Sequence, residues 1–552
     1  MLIRLLCVAA IALASCKKSD SEVKAPPTVR QRIEQEQSAA GRSPPLGVLR
    51  LSGNVHELRA SPDGAMLTVL VDAKTPSGAG IPPTLKVGTL WAVPTTGGTP
   101  KKIAAGVSNG PGGWLYSNHS QWLVVSSSWS PGDQLGELLL VDIGDLSKEP
   151  RSLGKGVSYF VPSDDGSKLA WIEGGVLHVG SLPGGPFRDV AAEASTAEFS
   201  PDGRFLYFKR RVSAAGGLYQ IDLNAAKPSP RRLADHVADF QVLKSGHAVV
   251  LTARDNPADR TFQLMAYDVT ADKIRKLSDD ASRFRISHDE STVAWRGSLV
   301  QGDQTDVGQL WIASLKSGQP RQLGKTVKDF EFSPDGLRLV YRDNFVELPL
   351  GGRDARPGEA RIEKVGDLYS VDLKGGAPQL IAKRSPNFLF SPNGALALTA
   401  RIETPDVTRR LLILRPNSLK AEAIQDWLYE YQFRPTANSL YFRANCTREG
   451  RSCALMKVNI ETEKELTAAK VAEGVFGVRF SADGSKMVTA SAHFTDSSFD
   501  LFAQNADSGA ATPIDQFVEW PALLVGPTGE HVAYLVHEAS RPGVYVAKMP
   551  AR

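Results

Sequence analysis

The sequence predicts an all-β chain, a β-propeller built from about eleven four-stranded repeats, and three observations predict it. The tetrapeptide Ser-Pro-Asp-Gly opens at Ser61, Ser200 and Ser333, with degenerate copies at Ser163, Ser287, Ser391, Arg434, Ser481 and Gly526 and weaker ones at Ser117 and Leu243. Apolar alternation flanks the copies, as in Phe330-Glu-Phe332 before one and Leu337-Arg-Leu-Val-Tyr341 after it, with the period of a half-buried strand. Successive copies start 37 to 58 residues apart, close to the length of a propeller blade.

The elements follow from the chemistry of the motif. Pro presets φ at the first corner of a tight turn, Asp can bond its own backbone, and Gly accepts the positive φ that closes a hairpin. The motif is therefore read as the connection between the first and second strands of a unit. A third strand is expected at Leu218-Tyr-Gln-Ile-Asp-Leu223, Leu310-Trp-Ile-Ala-Ser-Leu315, Leu368-Tyr-Ser-Val-Asp-Leu373 and Leu455-Met-Lys-Val-Asn-Ile460. A short basic-apolar segment such as Arg231-Arg-Leu233, Arg275-Lys-Leu277 or Arg321-Gln-Leu323 then closes the unit. Because a usual ring holds four to eight blades, the expected arrangement is two tandem rings, residues 46–276 with about five blades and residues 277–552 with about six. Six then five, or one oversized ring, are the other partitions. The last unit ends after its third strand, Val544-Tyr-Val-Ala-Lys548, while Val48-Leu-Arg-Leu51 precedes the first turn and reads as a fourth strand, which permits closure of a ring by strands from both chain ends or separate closure of a first ring by the N-terminal strand.

With these repeats the chain resembles the TolB-like, WD40-like (PD40) propeller family, whose repeats also occur in tricorn-type and prolyl-oligopeptidase-type peptidases. The resemblance runs from about Leu46 to Arg552. It implies a propeller fold and says little about activity, since propellers host many functions. The TolB family pairs its propeller with an N-terminal α/β domain, which this sequence does not show, so a role in the Tol-Pal system is not implied.

At the N-terminus, Arg4 and an apolar stretch lead into Leu13-Ala-Ser-Cys16, so residues 1–15 read as a signal peptide too short for a membrane span. Leu-Ala-Ser-Cys resembles the bacterial lipobox, which implies cleavage before Cys16 and its modification with diacylglycerol and an amide-linked acyl chain such as palmitate. Several chains give stable anchoring where one does not. By the sorting pattern of enteric bacteria, Lys17 implies the outer membrane, facing the periplasm. Residues 16–45 are polar and Pro-rich, a tether with a short helical piece around Val29 to Ala40. Of the four cysteines, Cys7 lies in the signal, leaving Cys446 and Cys453 on either side of a hairpin loop, where an oxidising periplasm favours a disulfide. Two free thiols are the alternative.

The search for chemistry yields little. Formal charge is +4 on 552 residues, without the clustered Lys and Arg of a nucleic-acid binder. Gly106-Val-Ser-Asn-Gly110 matches a nucleophile elbow, but no helix-like segment follows Ser108. The nine histidines show no metal spacing, no cofactor fingerprint is present, and no catalytic residue is assigned. The binding candidates are long connections on the rim opposite the turns: residues 73–88, and residues 344–366 carrying Arg353, Asp354, Arg356 and Arg361. The expected function is a non-enzymatic, lipid-anchored envelope scaffold that binds an envelope protein or peptide through these loops. The alternative is an enzyme or substrate-binding component of envelope peptide or glycan degradation. Cys16→Ala is expected to move the protein from the membrane pellet to the soluble fraction, and unchanged pelleting of that variant would refute lipid anchoring.

Overall fold

A computed structural model describes residues 46–549. Outside the description lie 78–80, 111, 131, 211–215, 255–258, 260, 298–306, 350–361, 404–407, 417, 419, 448–449, 462–464, 493–497, 508–510 and 537–540. Among the described residues there is no helix; every regular element is a strand, and all pairing between strands is antiparallel. No described helix is therefore long and apolar enough to cross a membrane.

The turns form where the motif places them. At each expected position, from Ser61 to Gly526 and including the weak copies at Ser117 and Leu243, the N–H of the fourth residue donates to the carbonyl of the first. The opening serine does more than the sequence reading assumed. In Ser61, Ser163, Ser200, Ser287, Ser333 and Ser481 the hydroxyl donates to the Asp carboxylate two residues on, at 2.5–2.6 Å. The same oxygen accepts the N–H five residues on, for example Arg338 N at 2.9 Å. A buried hydroxyl thus satisfies the donor that opens the second strand, and the Asp accepts another N–H two residues beyond itself, as Asp335 does from Leu337 at 3.0 Å. These bonds hold Asp165 down to about 2, the Ser163 hydroxyl contributing most.

The strands pair in chain order into five four-stranded and three seven-stranded sheets. The first sheet comprises Val55–Ala60, Met66–Lys74, Val87–Pro94 and Lys101–Ser108. The second, seven-stranded, runs from Trp114–Tyr116 to Phe187–Ala191; the third from Ala194–Phe199 to Arg231–Ala234; the fourth, seven-stranded, from Val237–Val242 to Arg321–Val327. The fifth runs from Phe330–Phe332 to Gln379–Ser385, the sixth from Asn387–Phe390 to Glu422–Asp426, and the seventh from Leu428–Phe433 to Ala469–Val475. The eighth, again seven-stranded, starts at Gly477–Phe480 and ends with Val48–Ser52 hydrogen-bonded beyond Gly543–Lys548. First strands of neighbouring sheets approach one another, as Ala194–Phe199 does Val237–Val242, so they lie innermost.

A four-stranded sheet with apolar residues on both faces must bury both, and here each face is covered by the next sheet. Buried clusters join every neighbouring pair: Leu339 and Tyr341 with Leu310, Leu396 and Leu398 with Leu368, Leu440 and Phe442 with Leu411. One cluster joins the two ends of the series. Val55, Leu67, Val69 and Val71 of the first sheet pack on Ala533, Leu535, Val544 and Val546 of the eighth. The result is a propeller-like ring of small antiparallel sheets. The N-terminal strand pairs with the C-terminal one, so of the two closures the sequence permits the strands use the one that draws on both chain ends.

The expected division at Leu277 does not coincide with a break in packing. Leu277 lies inside the continuous strand Lys273–Ile286, whose first half pairs with Phe262–Asp268 and whose second half pairs with Thr292–Gly297. It shares one buried cluster with Val250 on one side and Trp295 on the other. Residues 45–552 form one compact unit by contact.

Leu535→Ala is expected to cost about 2–5 kcal/mol because it opens a cavity between the first and last sheets, whereas Leu337→Ala, 40% exposed, should change stability by less than about 0.5 kcal/mol. Chemical denaturation checks both, and equal midpoints would show that the end-to-end packing contributes nothing.

Candidate functional site

The rim opposite the turns is built from connections between second and third strands and from the junctions between sheets. The insertion read as a loop from 344 to 366 is in part a hairpin: Arg338–Pro349 and Ile362–Asp372 continue pairing past the edge of the sheet, through Val346↔Val365 and Glu347↔Lys364 to Pro349↔Ile362. Arg353, Asp354, Arg356 and Arg361 lie outside the described residues, as do Cys16 and the rest of residues 1–45, where the sequence leads one to expect a signal peptide and a tether. Cys446 and Cys453 are disulfide-bonded. Ser108 is buried and its hydroxyl accepts Gly110 N at 3.0 Å, with no helix following. Among the described residues, no group of three or more His, Cys, Asp and Glu could hold a metal ion.

The projecting hairpin is fastened to the sixth sheet by charge. Glu363, 5% exposed, accepts from Arg401 at 3.1 Å and from Arg409 at 2.6 Å, and Arg401 also donates to the Pro349 carbonyl at 2.7 Å. A buried carboxylate is tolerable only with such partners. One end of this chain of contacts, Arg409, opens into a cleft of about 210 Å³ between the sixth and seventh sheets.

The cleft is framed by the start of two innermost strands. From the sixth sheet come Asn387, Phe388 and Leu389, with Thr399 behind them; from the seventh come Leu428, Tyr429, Glu430 and Tyr431. Asn387 Oδ1 accepts the Tyr431 hydroxyl at 2.9 Å and the Thr399 hydroxyl, which ties the two sheets together at the cleft floor. Burial pushes the Tyr431 phenol up, so it stays a donor. Glu430 is held by Arg443 at 3.1 Å. The disulfide-closed turn backs this wall, with Gly450 against the ring of Tyr429 and Cys453 Sγ beside the Arg443 guanidinium. Tyr429 is 42% exposed and Leu389 is 38% exposed.

Immediately before the lining residue Leu428 stands Trp427, 39% exposed and with φ of 61°. Its N–H bonds the Arg409 carbonyl at 3.1 Å. The left-handed φ has a structural cause. Seven residues before each turn opener the chain passes from one unit to the next, and that position is left-handed at Gly156, Glu193, His236, Arg384, Trp427 and Gly474. Gly adopts this conformation without penalty, while a bulky residue does so at a cost. Trp is the bulkiest occupant, and it belongs to none of the buried clusters among the described residues.

The sequence reading placed binding on this rim but missed Asn387, Arg409, Trp427 and Tyr429. The available signal was register: aligned on the turns, Trp427 falls where Gly156 and Gly474 stand.

A second feature lies on the inner wall. Glu198, on the first strand of the third sheet, accepts Val242 N of the fourth at 3.2 Å. Burial, followed by the nearby Asp239, pushes its carboxyl up to about 7 against the stabilising effect of that N–H.

No protein-family model matches the chain, and no curated protein matches it. Among solved structures the chain is similar to the tricorn protease, at 12% identity and TM-score 0.25, over 84% of this chain and 59% of that one. It thus spans little more than half of that protein's length. It is also similar to a eukaryotic initiation factor, at 11% identity and TM-score 0.40 over 79% of this chain and 92% of that one. A third is the β-propeller domain of the Trilobed protease from Pyrococcus furiosus, at 11% identity and TM-score 0.28, over 57% of this chain and 97% of that one.

The Glu198 carboxyl gives a pH dependence of known sign. Its folded pKa of about 7 lies above the ordinary 4.5, so its contribution is fully present below about pH 4.5 and is lost as pH rises through 7. Melting temperature should therefore fall between pH 5 and pH 7.5 by more in the wild type than in Glu198→Gln, and identical slopes would remove Glu198 as the cause.

Proposed function

We propose that the protein is a non-enzymatic binding scaffold of the cell envelope, tethered through lipid on Cys16 and offering the rim of its fifth to seventh sheets to another envelope component. The observation that carries this reading is the cleft itself. Exposed Trp427 and Tyr429, a rigid support and a hairpin fastened over the neighbouring sheet by Glu363 concentrate at one place on the rim. Binding surfaces commonly pair exposed aromatic side chains with a fixed scaffold. The TolB-like repeat pattern and the lipobox support the envelope setting, where the sequence reading named a protein or peptide as partner.

The repeat count belongs to the same proposal. Each seven-stranded sheet holds one long strand, Arg151–Pro162, Lys273–Ile286 or Thr512–Val525, whose halves pair with different neighbours and meet at Val157, Ala281 or Val518. Reading each such strand as the fourth of one blade and the first of the next gives eleven blades, the number of turn motifs. The packing of the first sheet on the last favours one ring over two.

Photo-crosslinking in native membranes tests the surface. A crosslinker at position 429 is expected to trap an envelope component that one at position 337, beside a turn, does not. Equal trapping at both positions, or none at 429, would overturn the assignment of the rim.

A further inference from the structure

We infer that the cleft between the sixth and seventh sheets binds a saccharide, with Trp427 and Tyr429 as stacking faces and Asn387, Arg409 and Glu430 as hydrogen-bonding groups. The inference rests on the reading of this rim as the binding surface and names the chemistry it would take.

The first argument is the strained tryptophan. A backbone position that Gly156 and Gly474 fill without cost is occupied at 427 by an indole held at φ 61° and 39% exposed. Part of the side chain stays in solvent at 39% exposure, and a left-handed bulky residue points toward use of the side chain. Tyr429, two residues on and 42% exposed, presents a second ring beside the cleft. Aromatic faces suit the C–H face of a pyranose, which is apolar while the ring edge is polar.

The second argument is the kind of polar group left available. Asn387 uses its amide oxygen for Tyr431 and Thr399, which leaves its NH₂ without a partner among the described residues. Arg409 uses Nε for Glu363, and Glu430 uses Oε2 for Arg443, which leaves two Nη groups and Oε1 likewise. Planar amide, guanidinium and carboxylate groups bond adjacent hydroxyls in pairs, each hydroxyl being both donor and acceptor. Both charges are already countered by Glu363 and Arg443, so the cleft favours a ligand rich in hydroxyls over an ionic one.

Size and shape agree. At about 210 Å³ the cleft is smaller than the ~300 Å³ at which pockets begin to enclose a drug-sized molecule, and it is open, as needed to seat one ring of a longer chain. Peptide capture by strand addition would instead use unpaired backbone along a sheet edge, whereas the groups gathered here belong to side chains.

The test uses the full chain and three soluble probes: the tetrasaccharide of β-1,4-linked N-acetylglucosamine, cellotetraose and maltotetraose. Saturation-transfer NMR and tryptophan fluorescence are expected to detect binding of at least one. Trp427→Gly should weaken it at least about tenfold while leaving the chain folded, because Gly accepts the left-handed φ. Tyr429→Ala should weaken it as well. Absence of binding by all three probes at about 10 mM, tenfold above the 1 mM dissociation constant that corresponds to about −4 kcal/mol, would overturn the inference, as would binding that survives both substitutions. If crosslinking at position 429 traps an envelope component while no tetrasaccharide binds, the rim reading stands and the saccharide inference fails.

Discussion

Every sheet in this protein has two apolar faces, and neither can be left to water. That requirement governs the structure. The first sheet covers one face with the second, and its other face is covered by strands nearly five hundred residues away, where Val69 and Val71 meet Leu535 and Val544. Hydrogen bonds complete the closure, as Val48–Ser52 pairs with Gly543–Lys548. The side chains of Val48 and Leu49 are largely exposed, so this outer strand contributes chiefly through its backbone ladder, at about 0.5–1.5 kcal/mol net for each bond. Burial between the first and last sheets supplies the rest.

The same requirement shapes the connections. A chain that leaves the outer edge of one sheet and enters the inner edge of the next must turn without leaving buried N–H groups unpaired. Two devices do this. On one rim the Ser hydroxyl and Asp carboxylate of the repeat satisfy the donors that open the second strand. On the other rim, a left-handed residue seven positions earlier lets the strand change sheets. The second device is where the sequence departs from economy. Gly serves at 156 and 474, and Trp stands at 427 beside the cleft, so the junction that is purely structural elsewhere also displays an aromatic ring.

Neighbouring charges give the cleft its rigidity. Glu363 reaches from the projecting hairpin to Arg401 and Arg409, and Asn387 accepts hydroxyls from both the sixth and seventh sheets. Behind Tyr429 the Cys446–Cys453 bridge closes the adjacent turn.

The strands and turns were legible in the residues because they depend on local rules. Alternation marks a half-buried strand, and Ser-Pro-Asp-Gly marks the hairpin, down to the weak copies at Ser117 and Leu243. The role of the motif's serine was not legible, since its hydroxyl acts on an N–H five residues away. A division between rings was not legible for the same reason: ring size depends on how neighbouring sheets pack, and no local pattern records that Lys273–Ile286 serves two sets of partners. The site was legible only as a rim. Asn387, Arg409 and Tyr429 come from three strands and meet through tertiary packing, with up to 42 residues of sequence between them. By itself the sequence determined the repeating antiparallel unit, because period and turn chemistry act within a few residues; the tertiary structure alone decided where the chain closes and which side chains share a cleft, because burial of both faces of a sheet is settled only between units distant in sequence.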